Sequence, residues 1–333
     1  MSRIARQATR FGIRTRARKL VREIRVRTAP KGPAVAISVL HGQEQTPVDD
    51  YWNRHTVHES GKFMTAAESE GHLSWRASQY PLYTELMDVR QDHSGRVILD
   101  YGCGPGDDVT GFLLWSNPTR VIGMDVSRMA LGLLQHRLAL HRIDPRRVQL
   151  IQITDSIGKV ALPDSHVDWV HCGGVLHHTT HPAEILGEFH RVMKPGSEGR
   201  LMLYNRDSVF YHLAIAYVEM IVNQAFPGLS VDEAFTRSTD GPDCPVSDAW
   251  PPQRVLDLIA KAGFDGEFRG GYVNVHEEMD WLREYGDAAK ADARLAAEHR
   301  RFLSELTTDV HGYPMWNGKY AGIGAVYTIR KPA

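Results

Sequence analysis

Short apolar runs alternate, through the middle of the chain, with longer stretches in which apolar residues return every three or four positions. The runs at residues 97–100, 120–125, 147–153, 167–172 and 200–204 predict buried strands, and the stretches at 108–116, 127–141 and 182–193 predict helices. Strands and helices alternating through short connections predict a parallel sheet with helices on both faces. Before this core, residues 34–40 read as a short strand, and 66–80 and 82–89 as helices parted at Pro81. After it, residues 208–226 read as a broadly apolar helix suited to a lid or a dimer contact. Residues 252–262 predict a further helix, a sixth strand follows Gly263-Phe264, 276–305 is a charged helical insertion, and 323–329 supplies the last strand.

Residues 1–27 carry a different pattern. Ile13, Ala17, Leu20, Val21 and Ile24 form one helical stripe, with Ile4, Ala8 and Phe11 in a second register broken at Gly12. The first 31 residues hold eleven Lys or Arg and one acid, so the rest of a chain of net charge −1 carries −11. Three readings of this basic arm stand: it docks on the main domain or a second copy in a homodimer, it lies on an anionic membrane surface, or it binds nucleic acid or targets the chain. The acidic remainder makes nucleic acid an unexpected substrate. No apolar stretch reaches the ~20 residues of a membrane span. Cys103, Cys172 and Cys244 are odd in number and far apart, which argues against a disulfide framework and for a reducing, cytoplasmic compartment, peripheral to the inner membrane face if the arm meets lipid.

The chemistry gathers at residues 97–106, Val-Ile-Leu-Asp-Tyr-Gly-Cys-Gly-Pro-Gly. A buried strand ends at Asp100, and Gly102, Gly104 and Gly106 form a turn whose backbone can approach a ligand because no Cβ intervenes. Asp107 and Asp108 follow as N-cap candidates of the next helix. The G-x-G-x-G spacing is one residue short of the dinucleotide fingerprint, and two carboxylates there would oppose a pyrophosphate. A positively charged adenosine ligand without phosphate suits the turn better. Asp125 ends the next strand 19 residues after Gly106, where a carboxylate is placed to bind ribose hydroxyls.

These residues resemble the class I S-adenosylmethionine-dependent methyltransferases, of the methyltransferase type 11-like kind, with the D-x-G-x-G-x-G motif at Asp100–Gly106. The resemblance is good over residues 95–205 and looser beyond. It implies an α/β fold: a Rossmann-like, doubly wound, mostly parallel seven-stranded sheet with a helical N-terminal segment and insertions after strands five and six. The chain then divides into a basic arm (1–31), a helical cap (32–95) and the methyltransferase domain (96–333), with insertions at about 205–250 and 272–320.

The resemblance also implies S-adenosyl-L-methionine as cofactor and methyl transfer to a hydroxyl or amine of a small-molecule or sugar acceptor in biosynthesis. Asp100, Gly102, Gly104, Gly106 and Asp125 would hold the cofactor, Asp155 beside Ser156 would meet the adenine amino group, and Arg76 the methionine carboxylate. Leu176-His177-His178 falls where the family often carries Leu-His-His. A histidine near neutral pH can remove a proton from a hydroxyl, so His177 and His178 are catalytic candidates; packing or capping is the other reading. Cys172, His177, His178 and His181 are metal-ligating types without a zinc spacing, so no metal is expected. Residues 236–252 contain T-D-G-x-x-x-P-x-S and read as a polar insertion on the ligand rim, a candidate substrate lid. The rivals are a nicotinamide-dependent oxidoreductase and a non-catalytic S-adenosylmethionine-binding module tethered by the arm.

Overall fold

The computed structural model describes residues 35–40, 45–55, 62–155, 160 and 162–333. The basic arm and Ser156 lie outside the described residues. Eleven strands are described: β1 (Ile37–Val39), β2 (Val97–Tyr101), β3 (Arg120–Asp125), β4 (Val148–Gln152), β5 (Val167–Gly173), β6 (Met193–Tyr204), β7 (Asp265–Tyr272), β8 (Thr307–Thr308), β9 (Pro314–Trp316), β10 (Lys319–Tyr320) and β11 (Gly324–Arg330). The main sheet has the order β1-β4-β3-β2-β5-β6-β11-β7. It is parallel from β1 to β6, and β11 runs antiparallel to both β6 and β7.

The sheet thus has eight strands where seven are expected. The extra one is β1, whose three residues pair with Leu150, Ile151 and Gln152 along the edge of β4. Its short pattern predicts a strand but carries no signal of its partner. β6 is also longer than the predicted 200–204. Met193 pairs with Val167, the register then shifts, and pairing resumes at Glu198, so the Lys194–Ser197 segment bulges out around Gly196 at φ 75°.

The helical segments among the described residues include α1 (Pro47–Arg54), α2 (Ala66–Gln79), α3 (Tyr83–Leu86), α4 (Asp107–Trp115), α5 (Arg128–Leu140), α6 (Pro182–Val192), α7 (Phe210–Val222), α8 (Val231–Thr239), α9 (Pro252–Lys261), α10 (Trp281–Ala291) and α11 (Ala297–Glu305). α7 is π-helical, and a π turn at Val275–Asp280 leads into α10. One face of the sheet packs on α6 and α9 through Ile185, Leu186, Phe189, Val255 and Ile259. The other packs on α3, α4 and α5 through Leu86, Phe112, Leu113, Leu131 and Leu134. Each such side chain, fully buried, contributes roughly 1.5–3 kcal/mol. The insertions fold on one another: α7, α10 and α11 share Leu213, Ala289 and Phe302 in a separate apolar cluster.

Helix starts depart from expectation at one informative place. Ser127 caps α5 as predicted, accepting the Ala130 N–H. α4 instead starts from Gly106, in the left-handed region at φ 85° and without a side-chain cap. A Cβ there would lie 2.1 Å from Leu134 Cδ1, so the position requires glycine for both conformation and space. Asp107 and Asp108 are residues of the first turn rather than caps.

Candidate functional site

The chain runs outward through β2, β3 and β4 in one direction and through β5 and β6 in the other, so the order reverses between β2 and β5. Ligands of open parallel sheets bind beyond the carboxyl ends of the strands at such a point. A cavity opens there, walled by Gly102, Cys103 and Gly104 after β2, Asp125 and Val126 after β3, Ile153 and Asp155 after β4, and Gly173, Gly174 and Val175 after β5. Trp52 of α1, His55 just after it, Arg76 of α2, and His178 also line it.

Close backbone approach shapes the glycine turn. A Cβ on Gly102, at φ 74°, would lie 2.1 Å from Val175 Cγ2. The Gly102 and Cys103 N–H groups donate to the Met124 carbonyl at 2.7 and 2.9 Å, tying the turn to β3. Asp125 is held from both sides: Gly104 N–H donates to Oδ2 and Ser127 N–H to Oδ1, each at 2.7 Å. Burial pushes its carboxyl up to about 6 against the pull of these two donors. Each oxygen keeps a second lone pair for an incoming hydroxyl.

Asp155 accepts the Thr179 hydroxyl at Oδ1, and its backbone N–H donates to Asp49 Oδ1 at 2.8 Å. Its Oδ2 is covered and has no partner among the described residues. A buried acceptor of that kind is costly unless a ligand pairs with it. Burial raises this carboxyl, opposed first by the Thr179 hydrogen bond. Asp49 was not anticipated as a site residue. Its signal was legible as the capping box Thr46-Pro-Val-Asp49, which starts α1 and fixes Asp49 against β4.

The acids at the start of α4 are neutralised within the protein. Asp107 pairs with Arg137 and His72. Asp108 takes Arg76 through two contacts at 2.7 and 3.3 Å, His171 Nε2 at 3.1 Å and the Tyr83 hydroxyl. Burial alone would raise both carboxyls. For Asp107 the His72 hydrogen bond and the charges of Arg76 and Arg137, and for Asp108 chiefly Arg76 and His171, hold them far below the usual range. The expected repulsion of a pyrophosphate therefore needs correction: these charges are already compensated by cations 30 to 63 positions away.

The structure brings Arg76, Gly102, Gly104, Asp125, Asp155 and His178 to one cavity. It does not place Asp100, Gly106 or His177 on the wall. Asp100 lies buried beneath the turn with Oδ2 unpartnered among the described residues, and burial raises its carboxyl to about 7. Gly106 serves the α4 start. His177 is fully buried, its ring 4.0 Å from that of Tyr204 and 4.1 Å from that of His178. Burial, then its neighbour His178, holds its imidazole well below the usual value.

His178 has Trp52 edge-on at 5.0 Å and its Nδ1 2.7 Å from the Val246 carbonyl. That contact fixes the tautomer with the proton on Nδ1, so Nε2 carries the lone pair. Nε2 lies 3.7 Å from Asp240 Oδ2. Burial lowers the imidazole, and Asp240 offsets part of that. Within residues 236–252, the expected lid, the Val246 carbonyl and Asp240 both face His178.

Residues 92–226 match the model of a methyltransferase-domain family. The chain is similar to a 37.1 kDa protein of transposon TN4556 from Streptomyces fradiae, 32% identical over 42% of this chain and 38% of that one. It is also similar to the ubiquinone biosynthesis O-methyltransferase of Pseudomonas syringae pv. tomato, 27% identical over 48% of this chain and 66% of that one. The chain thus matches between about two fifths and two thirds of the length of these relatives. Among solved structures, phosphoethanolamine N-methyltransferase 2 of Haemonchus contortus, in complex with S-adenosyl-L-methionine, shares the fold at 14% identity and a TM-score of 0.50, over 86% of this chain and 60% of that one. The glycine turn, Asp125 and Asp155 meet in one cavity inside the segment, residues 92–226, that matches the methyltransferase-domain family.

Proposed function

We propose that the chain is a methyltransferase that moves a methyl group from S-adenosylmethionine to a hydroxyl or amine of a small-molecule or sugar acceptor. The observation that carries this reading is the pair of acids in one cavity: Asp125, locked by two N–H donors with lone pairs to spare, and Asp155, whose covered Oδ2 awaits a donor. A ribose diol and an adenine amino group supply those donors. Val126, Ile153 and Ile185 offer the apolar walls between which an adenine ring fits.

Arg76, stacked 4.2 Å over Tyr83 and braced by Asp108, would meet the methionine carboxylate. When bound, S-adenosylmethionine supplies a methyl group on a positively charged sulfur, already a good leaving group. The protein's own task is to align an acceptor and exclude water. Trp52 of α1 and His55 at its C-terminal end perform part of that task, walling the cavity. His178 forms the acceptor end with its Nε2 lone pair; His177 supports it from behind. The relationship to an O-methyltransferase supports a hydroxyl acceptor.

A nicotinamide dinucleotide fits less well. The glycine turn that would cradle its pyrophosphate is one residue short of the dinucleotide fingerprint. No described helix is long and apolar enough to cross a membrane; contact of the basic arm with an anionic membrane surface remains part of the proposal. The test is incubation of the full chain with S-adenosylmethionine and a panel of phenols, sugars and amines, following S-adenosylhomocysteine. Acceptor-dependent release is expected; release that no acceptor stimulates, across the panel, contradicts methyl transfer to a small molecule.

A further inference from the structure

The acceptor end holds a second chemical feature, distinct from the cofactor's contacts. His178, Asp240 and Cys244 offer one ligand atom each, and the three atoms lie within 4.8 Å of one another. We propose that these residues form a binding site for a borderline-soft divalent cation of the zinc type, at the acceptor end of the cavity. The inference deepens the methyltransferase reading and rests on it only for the role of the ion.

Three observations beyond proximity support the site. First, His178 is oriented as a ligand. Its Nδ1 proton is committed to the Val246 carbonyl at 2.7 Å, which leaves Nε2 free to donate its lone pair 3.7 Å from Asp240 Oδ2. Metal-bound histidines carry that outer hydrogen bond almost without exception. Second, Asp240 is itself braced. Ser247 Oγ donates to Oδ2 at 2.7 Å, and the Tyr204 hydroxyl lies 3.3 Å from Oδ1. Third, the loop is stiff. Gly241 stands at φ 96°, Cys244 N–H closes a turn on the Gly241 carbonyl at 3.2 Å, and Pro242 and Pro245 restrict the backbone around Cys244.

The donor set selects the ion. One imidazole, one thiolate and one carboxylate suit zinc or cobalt rather than magnesium or calcium, which take oxygen donors. Binding displaces the Cys244 thiol proton to solvent; the carboxylate and thiolate then balance the two positive charges. Three protein ligands leave one tetrahedral position for a substrate atom. An acceptor hydroxyl or thiol taken there loses its proton more readily, because the cation stabilises the anion that remains. On this reading Nε2 of His178 holds the cation and the acceptor is activated through it.

The experiment is titration of the chelator-treated full chain with Co²⁺, read by absorption. One equivalent with a near-ultraviolet sulfur-to-cobalt charge-transfer band is expected, displaced by Zn²⁺. In Cys244→Ser, shown folded by circular dichroism, the band should vanish. In Asp240→Asn it should persist with affinity weakened beyond the ~10–100-fold typical of outer contacts. Absence of any band in the wild-type chain overturns the site, as does a band that survives in folded Cys244→Ser. S-adenosylmethionine binding, measured separately by calorimetry without metal, distinguishes failure of this site from failure of the methyltransferase reading.

Discussion

The two ends of the cleft are built in different ways. The cofactor end is made by consecutive elements: the turn after β2, Asp125 at the end of β3 and Asp155 beyond β4 all fall within residues 97–155. The acceptor end is assembled from distant parts: Trp52 from α1, His178 after β5, Tyr204 at the end of β6, and Asp240 to Ser247 after α8. Strand ends place chemistry by the geometry of the sheet. A loop places it only through its own hydrogen bonds and the residues it meets. The cofactor end therefore depends on the glycine turn and on two strand-end carboxylates, whereas the acceptor end depends on contacts between segments far apart in the chain.

The largest effect should come from the acceptor end. His178→Ala should lower turnover by about 10²- to 10⁴-fold, the range that acceptor deprotonation is worth, with S-adenosylmethionine affinity near wild type. His177→Ala should instead lower the unfolding midpoint, since its ring packs on Tyr204 and does not reach the cavity. Equal loss of turnover in both variants at unchanged stability would erase the distinction between the two histidines.

The next effect lies at the cofactor end. Asp125→Ala should weaken S-adenosylmethionine binding by about 1.5–3 kcal/mol, the range for hydrogen bonds to a charged group. Unchanged affinity in the folded variant would move the ribose site elsewhere.

The same carboxylate predicts a pH dependence. In the free protein Asp125 titrates at about 6, above its ordinary value of 3.8, because it is buried. The folded state therefore holds this proton more tightly than the unfolded chain, so Asp125 contributes stability below about pH 4 that is lost as pH rises to about 6. Ribose hydroxyls favour the ionised form, so cofactor affinity should rise as pH increases through about 6 and level off above, by up to about tenfold per unit below it. Calorimetry in buffers of different ionisation enthalpy should show proton release near pH 6. Asp125→Asn should flatten the curve; a wild-type affinity that is flat from pH 5 to 7 contradicts the assignment.

The smallest effect belongs to Asp155. Asp155→Asn keeps the shape and the Thr179 contact while replacing an acceptor by an amide, and should weaken binding by about 1 kcal/mol. A comparison of adenosine with inosine as competitors checks this, since the preference for the amino group should narrow in the variant.

Much of the cofactor end was legible because strand endings and a fixed spacing carry it. Apolar runs placed Asp125 and Asp155, and the glycines marked the turn. The partners of Asp107 and Asp108 were not legible: Arg137, Arg76 and His171 arrive from other helices and strands, and a local pattern holds no record of them. The same limit explains His177 and His178. Neighbours in a loop after β5 have no periodicity to say which faces the cavity, and the answer depends on the Val246 carbonyl 68 positions away. The strand β1 was legible but its place in the sheet was not, since its pairing with β4 joins residues more than 110 apart.

Isothermal titration of the full chain with S-adenosylmethionine and, separately, with NAD tests the central claim most directly. The account predicts one saturable site for S-adenosylmethionine, weakened in Asp125→Ala, and no comparable heat with NAD. Saturable binding of NAD with none for S-adenosylmethionine would contradict it.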